Sequence, residues 1–251
     1  KDSLSMTQKY GKDKVYSPGT VIISAGAEVS DIRKVVSPVL RTGVNSTIYY
    51  IDFSIDKLKL GGSAFAQSLD KIGKEVPTVQ DSEYFANAFN AVQELINKEL
   101  ILAGHDISAG GMITTMLEMN FANTEGGLEV SLDEIPEKDL VKILFSENPG
   151  ILIQVEKTDE VEKILKKAGV AFIRLARPCD ERHLLIHKDG ADYQFFIDHL
   201  RDVWFESSYL LVRKQSGEKA AKDRFLNYKE QPLQFRFPDS FTGTLAQYGI
   251  S

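Results

Sequence analysis

Cysteine is almost missing from this sequence. Cys179 stands alone among 251 residues, which excludes an intrachain disulfide framework and makes a reducing cytoplasm the expected setting. Basic residues are in deficit: 30 Lys and Arg against 36 Asp and Glu give a formal net charge of −6, the opposite of the basic footprint that sequence-independent nucleic-acid binding needs. No apolar run is long enough to span a bilayer and no signal peptide is recognisable, so neither a nucleic-acid nor a membrane partner is expected. Histidine is scarce too. Of the 4 present, only His183 and His187 share an i, i+4 spacing, which in a strand puts them on one face but too far apart to chelate. Cys179 follows Pro178 and lacks a G-x-C-x-G setting, so it reads as structural. An initiating Met is absent as well: the chain opens abruptly on Lys1-Asp2-Ser3-Leu4-Ser5-Met6, which suggests a piece of something longer.

What is present is a foldable core, with 43% hydrophobic and 26% charged residues, the balance of a folded globular domain. Residues 1–16 are polar and aperiodic and read as the trailing edge of a preceding unit. A buried strand is expected over Thr20–Ser24 and a helix from Asp31, capped by Ser30, with Ile32, Val35 and Val36 on one face and Pro38 at its end. Ser46–Phe53 is rich in β-branched and aromatic residues and predicts a strand. Ser63 is placed to cap a helix over Ala64–Leu69, and Asp81 or Ser82 to open the next, whose Phe85, Phe89, Val92 and Ile96 form an inward stripe. Strands are expected at Leu100–Ala103, Gly127–Leu132, Ile151–Val155 and Val170–Leu175. Helices are expected at Met112–Asn123, at Glu137–Phe145, and at Thr158–Lys167 with Thr158 as cap. The charges of that last helix, Asp159-Glu160 at its start and Lys166-Lys167 at its end, suit its dipole. His183–Ile186 and Tyr193–Phe196 form a hairpin across Asp189-Gly190.

This order predicts an α/β fold with a mixed sheet flanked by helices. From Ile197 onward two helices follow, the first marked by Leu200, Val203, Trp204, Ser207 and Leu211. A tail through Pro232, Leu233, Phe235, Phe237 and Pro238 reads as an extended strap. Three segments are therefore expected: 1–16, an α/β domain over 17–196, and a helical extension with linker over 197–251.

The stretch least like generic scaffold is Gly104-His105-Asp106-Ile107-Ser108-Ala109-Gly110-Gly111, a turn between a short apolar strand and a helix apolar on two sides. Its glycines allow close approach of backbone to a ligand, and helix-start amides attract anions such as phosphate. Asp106 adds a hard oxygen of the kind a phosphate-bound magnesium ion takes. The alternative is ordinary: Asp and Ser cap helices, and Gly pairs punctuate loops. Gly61-Gly62-Ser63 is a second, weaker turn of the same kind, and Met112, Met116 and Met119 read as core.

Together, this turn with Glu118-Met119-Asn120-Phe121-Ala122, the upstream Leu60-Gly61-Gly62-Ser63-Ala64, the opening Lys1–Met6 and the downstream Arg201-Asp202-Val203-Trp204-Phe205-Glu206-Ser207-Ser208-Tyr209 resemble phosphoribosylformylglycinamidine synthase in its large single-chain form. The resemblance covers nearly the whole chain. It implies an aminoimidazole-ribonucleotide-synthetase-like C-domain from the second repeat of the synthetase region. The parent would be an ATP-dependent ligase and glutamine amidotransferase of purine biosynthesis. It further implies that Asp106 binds Mg2+ and Ser108 the nucleotide, ATP or ADP, at an auxiliary site. No catalytic residue falls inside the chain, and no role carries over to His105. Partner segments would be a preceding N-domain and a following glutaminase domain. On this reading the piece alone has no synthetase or glutaminase activity. A structural or regulatory nucleotide-binding module, or a sister enzyme such as aminoimidazole ribonucleotide synthetase or a selenophosphate or thiamine-phosphate kinase type, are the alternatives.

Overall fold

The computed structural model describes residues 2–4, 7–16, 20–29, 31–230 and 237–249. Its chain contacts divide it into two units, residues 1–33 with 239–251, and residues 34–238. In the first unit β1 (Asp2–Leu4) pairs antiparallel with β4 (Thr20–Ile22), and β2 (Thr7–Tyr10) with β3 (Asp13–Tyr16). The strand expected over 20–24 is thus shorter, and its last apolar residue, Ile23, is exposed. The helix expected from Asp31 to Pro38 is one 3-10 turn, Ile32–Lys34. Its apolar residues Ile32 and Val35 stay exposed, so no packing offsets the cost of starting so short a helix, and the residue before Pro38 is held out of helical dihedrals. Ser30, its expected cap, lies outside the described residues, as do Pro232, Leu233 and Phe235 of the strap. Residues 237–249 contain one 3-10 turn, Leu245–Tyr248.

The second unit is built on β5 (Thr47–Asp52), whose side chains alternate between two cores. Ile48 and Tyr50 face one core, Tyr49 and Ile51 the other, as the two-residue strand period requires. The remaining elements are α1 (Ala64–Ser68), α2 (Ser82–Asn97), β6 (Ala103–Asp106), α3 (Gly111–Phe121), β7 (Gly127–Ser131), α4 (Leu140–Phe145), β8 (Gly150–Val155), α5 (Thr158–Lys167), β9 (Ile173–Cys179), β10 (His183–Lys188), β11 (Ala191–Phe196), α6 (Ile197–Ser216) and α7 (Glu218–Leu226). The strands form one seven-stranded mixed sheet in the order β11-β10-β7-β9-β5-β8-β6. Residues of α3 and α4 line the core on the Tyr50 face, and residues of α2 and α5 the core on the Tyr49 face. The α/β fold with a mixed sheet flanked by helices is therefore what the sequence folds into. Because β8 and β9 both run antiparallel to β5, the β8-α5-β9 unit straddles β5.

Several local expectations shift. In α2 the buried residues are Ala88, Ala91, Val92 and Leu95, while Phe89 is 49% exposed: small residues let the helix lie close to the sheet and turn the bulky ring outward. Leu100, expected to start a strand, instead closes α2 with its N–H on Leu95 O, and the strand runs over Ala103–Asp106. Thr158 is the first helical residue of α5 rather than its cap, and Lys157 precedes it without a side-chain capping bond. Asp189 and Gly190 both take positive φ, 50° and 80°, the signature of the tight hairpin turn expected between β10 and β11.

A polar cluster ties α5 to the sheet from outside. Glu162 accepts from Tyr49 Oη at 2.9 Å, Lys166 Nζ at 2.9 Å and Arg174 Nε at 2.7 Å. Lys166 foremost, with Arg174 and Tyr49, holds the Glu162 carboxyl down at about 2, against the opposing effect of burial. Burial first, then Glu162, raises the Tyr49 hydroxyl to about 12. A carboxyl depressed on folding adds stability above its unfolded value and loses it as pH falls through the folded one. Unfolding midpoints should therefore drop between about pH 4.5 and 2, and Glu162→Gln should flatten that limb in a denaturant series taken at several pH values.

Candidate functional site

The glycine-rich turn begins inside the sheet. His105 and Asp106 are the last residues of the edge strand β6, paired with Leu152 and Ile151 of β8. Ile107 then donates its N–H to Gly150 O at 2.8 Å and buries its side chain. Asp106 and Ser108 flank this anchored residue. The Asp106 side chain is 72% exposed and Ser108 is half-buried. Neither caps α3, whose N-cap is Gly110 at φ 91° with no side-chain capping bond. That removes the ordinary explanation for both side chains and leaves an accessible carboxylate and hydroxyl on a rigid support. The support is α3 itself, with nine of its residues buried, Met112, Met116 and Met119 among them.

His105 lies between two carboxylates. Its Nδ1 is 2.8 Å from the Asp106 carbonyl oxygen and 3.2 Å from the Asp106 carboxylate, and its Nε2 is 3.4 Å from Glu118 Oε2. Burial raises the Glu118 carboxyl and the Asp106 charge adds to it, while His105 opposes both. Thr115 Oγ1 donates to the same Asp106 carbonyl at 3.1 Å. The ring and the threonine together fix the Asp106 backbone, while its carboxylate, beside the ring, stays open to solvent. Replacing Thr115 with Val, which keeps its shape, should leave the fold intact and cost about 1 kcal/mol, read as a small fall in denaturation midpoint.

Sequence reasoning missed Glu147. Its Oε1 accepts the Gly110 N–H at 2.8 Å and the Ala64 N–H at 2.7 Å, so one carboxylate oxygen joins both glycine-serine turns. The anion held by these two amides is the chain's own. Ser63 meanwhile caps α1 as expected, accepting from Ala66 N at 3.2 Å. Asn148, also missed, donates to Ser54 Oγ at 3.2 Å and Lys57 O at 3.1 Å and accepts from Lys59 N at 3.3 Å, pinning the loop before Gly61. The only sequence signal was the polar cluster Ser146-Glu147-Asn148-Pro149 between a helix and a strand, which says nothing about what it contacts.

Among the described residues no three His, Cys, Asp or Glu side chains form a group that could hold a metal ion. One exposed carboxylate still suits a magnesium ion whose other ligands are phosphate and water, since such ions take only one or two protein carboxylates. His183 and His187 make no shared site: His187 pairs with Asp192 at 2.6 Å, and His183 lies 3.2 Å from Gln194 Nε2. Cys179 ends β9, half-buried, with burial foremost and then Glu181 and Glu129 raising its thiol, the opposite of an activated nucleophile.

A seven-stranded mixed sheet between helices, with a glycine-rich carboxylate-bearing turn on its edge strand, defines a mixed-sheet α/β domain. Residues 45–184, more than half of the chain, match the family described as AIR synthase related protein, C-terminal domain, and the chain belongs to that family. It is 34% identical over 242 residues to a probable phosphoribosylformylglycinamidine synthase of Caenorhabditis elegans, covering 89% of this chain and 18% of that protein. To the human phosphoribosylformylglycinamidine synthase it is 32% identical over 248 residues, 96% of this chain and 18% of that one. The chain thus spans less than a fifth of the length of these relatives. The solved structure of Thermotoga maritima PurL complexed with ATP shares the fold over 67% of this chain and 27% of its own, with a TM-score of 0.52 and 15% identity. No helix among the described residues is long and apolar enough to cross a membrane.

Proposed function

We propose that this chain is the C-terminal part of the synthetase region of a large phosphoribosylformylglycinamidine synthase, and that it helps hold a Mg-nucleotide at an auxiliary site. The parent enzyme would join formylglycinamide ribonucleotide and glutamine-derived ammonia at the expense of ATP in purine biosynthesis. The carrying observation is the Asp106 carboxylate, exposed at the end of the edge strand and relieved of any capping task. In this reading Asp106 supplies one magnesium ligand and Ser108 a hydrogen bond to the nucleotide. The ion, when bound, neutralises phosphate charge. Residues 1–16 belong to the preceding N-domain, 17–196 to the C-domain and 197–251 to the approach to a glutaminase domain. The other ligands come from outside the chain, so the piece by itself has neither activity.

The test uses the intact polypeptide. Mg-ADP should raise its melting temperature, because a ligand bound only by the folded state stabilises by RT ln(1 + [L]/Kd), a few kcal/mol for a tight nucleotide. Asp106→Asn should abolish most of that increment, Ser108→Ala should reduce it, and turnover per folded enzyme should fall only modestly. An increment unchanged in Asp106→Asn overturns the assignment. A loss of turnover of two or more orders of magnitude at unchanged stability would instead make Asp106 part of the reacting centre.

A further inference from the structure

A cavity of about 960 Å³ opens on the Tyr50 face of the sheet, beyond the carboxyl end of β5. The glycine-rich turn contributes only the buried Ile107 to its lining, and Asp106 and Ser108 are not part of it. Tyr50 and Ser146 both line it and are nearly buried, 8% and 3% exposed. Among the described residues neither hydroxyl has a hydrogen-bond partner, yet neither is sealed off from the cavity. Buried hydroxyls are normally paired, and these two meet a partner only in whatever enters. Burial, then the Asp52 charge, pushes the Tyr50 hydroxyl well above the usual tyrosine range, so it stays a neutral donor.

The rest of the lining decides what enters. Met112, Ile143, Ile173 and Phe172 supply apolar wall. Every carboxylate at the mouth is already engaged. Asp52 accepts from Ser54 and Ile55, Asp56 pairs with Lys59 at 2.7 Å, and Glu137 accepts from the backbone of Lys138 and Asp139. The exposed ammonium groups of Lys57 and Lys138 have no ion pair among the described residues, and with Asp56 paired to Lys59 and Glu137 to Lys142 at 3.9 Å only the Asp52 charge opposes them, so the balance of charge on offer is positive. Pockets of this size with apolar walls and a few convergent polar groups suit small organic ligands. We infer that this cavity is a second ligand site, separate from the Asp106 turn, for a planar aromatic ring bearing an anionic group, the ring against Tyr50 and Ile173, which share one core face, and the anion toward Lys57 and Lys138.

Calorimetric titration with 4-hydroxyphenyl phosphate and with 4-hydroxybenzoate tests this and separates a phosphate from a carboxylate ligand. Phenol and inorganic phosphate serve as the ring-only and anion-only controls. At least one ring-bearing anion should bind one to one and at least about ten-fold more tightly than either control, since ring burial and charge act together. Tyr50→Phe and Ser146→Ala should each weaken it by about three- to ten-fold, the net worth of one hydrogen bond. Neither change should lower the melting temperature, because neither hydroxyl bonds anything in the free protein. Asp106→Asn should leave this binding untouched, which keeps the outcome independent of the Mg-nucleotide test. Absence of saturable binding, equal binding of inorganic phosphate, indifference to both hydroxyl removals, or loss in Asp106→Asn would each overturn the inference.

Discussion

Gly111→Ala should be among the most damaging single-methyl additions to this protein. Gly111 starts α3 at φ +73°, and a Cβ there would lie 2.6 Å from Leu144 O and 2.8 Å from Phe145 C and Cα. Two costs add. An L-residue held in the left-handed region loses roughly 1–2 kcal/mol, and forcing a methyl against backbone in a packed core costs roughly 1–3 kcal/mol more. The colliding atoms are the end of α4, so no flexible side-chain tip can swing away. A loss of about 3–4 kcal/mol, or roughly 6–15 °C in melting temperature for a domain of this size, is the expected reading in denaturant and thermal scans. Gly169→Ala supplies the control. Gly169 also has positive φ, +68°, but a Cβ would meet nothing within 4 Å, so only the backbone cost remains. Equal losses in the two variants would show that the contact with α4 contributes nothing.

Most of this frame was legible because the period of apolar residues reports on packing directly. Thr47–Asp52, Gly150–Val155 and the β10–β11 hairpin formed where β-branched runs and the Asp189-Gly190 turn placed them. The failures share one physical origin, which is that a local pattern does not say how near a neighbour lies. Of the Phe85, Phe89, Val92 and Ile96 stripe, Val92 is buried and Phe85 and Ile96 pack against the core, but Phe89 is exposed and Ala88 and Ala91 lie against the sheet in its place. Ile32, Val35 and Val36 look like the face of a helix, but only Val36 finds a neighbour, at the edge strand beside Gly104, while Ile32 and Val35 stay exposed and leave a helix unrewarded.

The site divides the same way. Its glycines, Asp106 and Ser108 stood out by type and spacing, whereas Glu147 reaches them across 37 and 83 positions of sequence. Such contacts exist only once the sheet has assembled. The Gly110 amide, at the helix start where a phosphate was expected, holds an anion supplied by the chain itself.

Glu147→Ala is the sharpest probe of that arrangement. Removing the carboxylate leaves the Gly110 and Ala64 N–H groups without their acceptor and takes a negative charge from the start of α1, where it is favourable. Hydrogen bonds to a charged group contribute roughly 1.5–3 kcal/mol each, but Glu147 is only half-buried, so water replaces part of what is lost. A net loss of about 2–3 kcal/mol is expected. Glu147→Gln keeps an oxygen of the same reach and should retain about half of the stability, which separates the acceptor from the charge. Backbone hydrogen exchange gives the readout that overall stability cannot: the Gly110 and Ala64 amides should exchange faster in Glu147→Ala than the fall in global stability explains, while amides in the centre of α3 should follow the global change alone. With the turn loosened at Gly110, Ser108 is held less firmly between it and the anchored Ile107, so the Mg-ADP increment in melting temperature should shrink along with it. Unchanged protection at Gly110 and Ala64 would mean that other acceptors hold the two turns, and Glu147 would then be a surface acid of no consequence to the site.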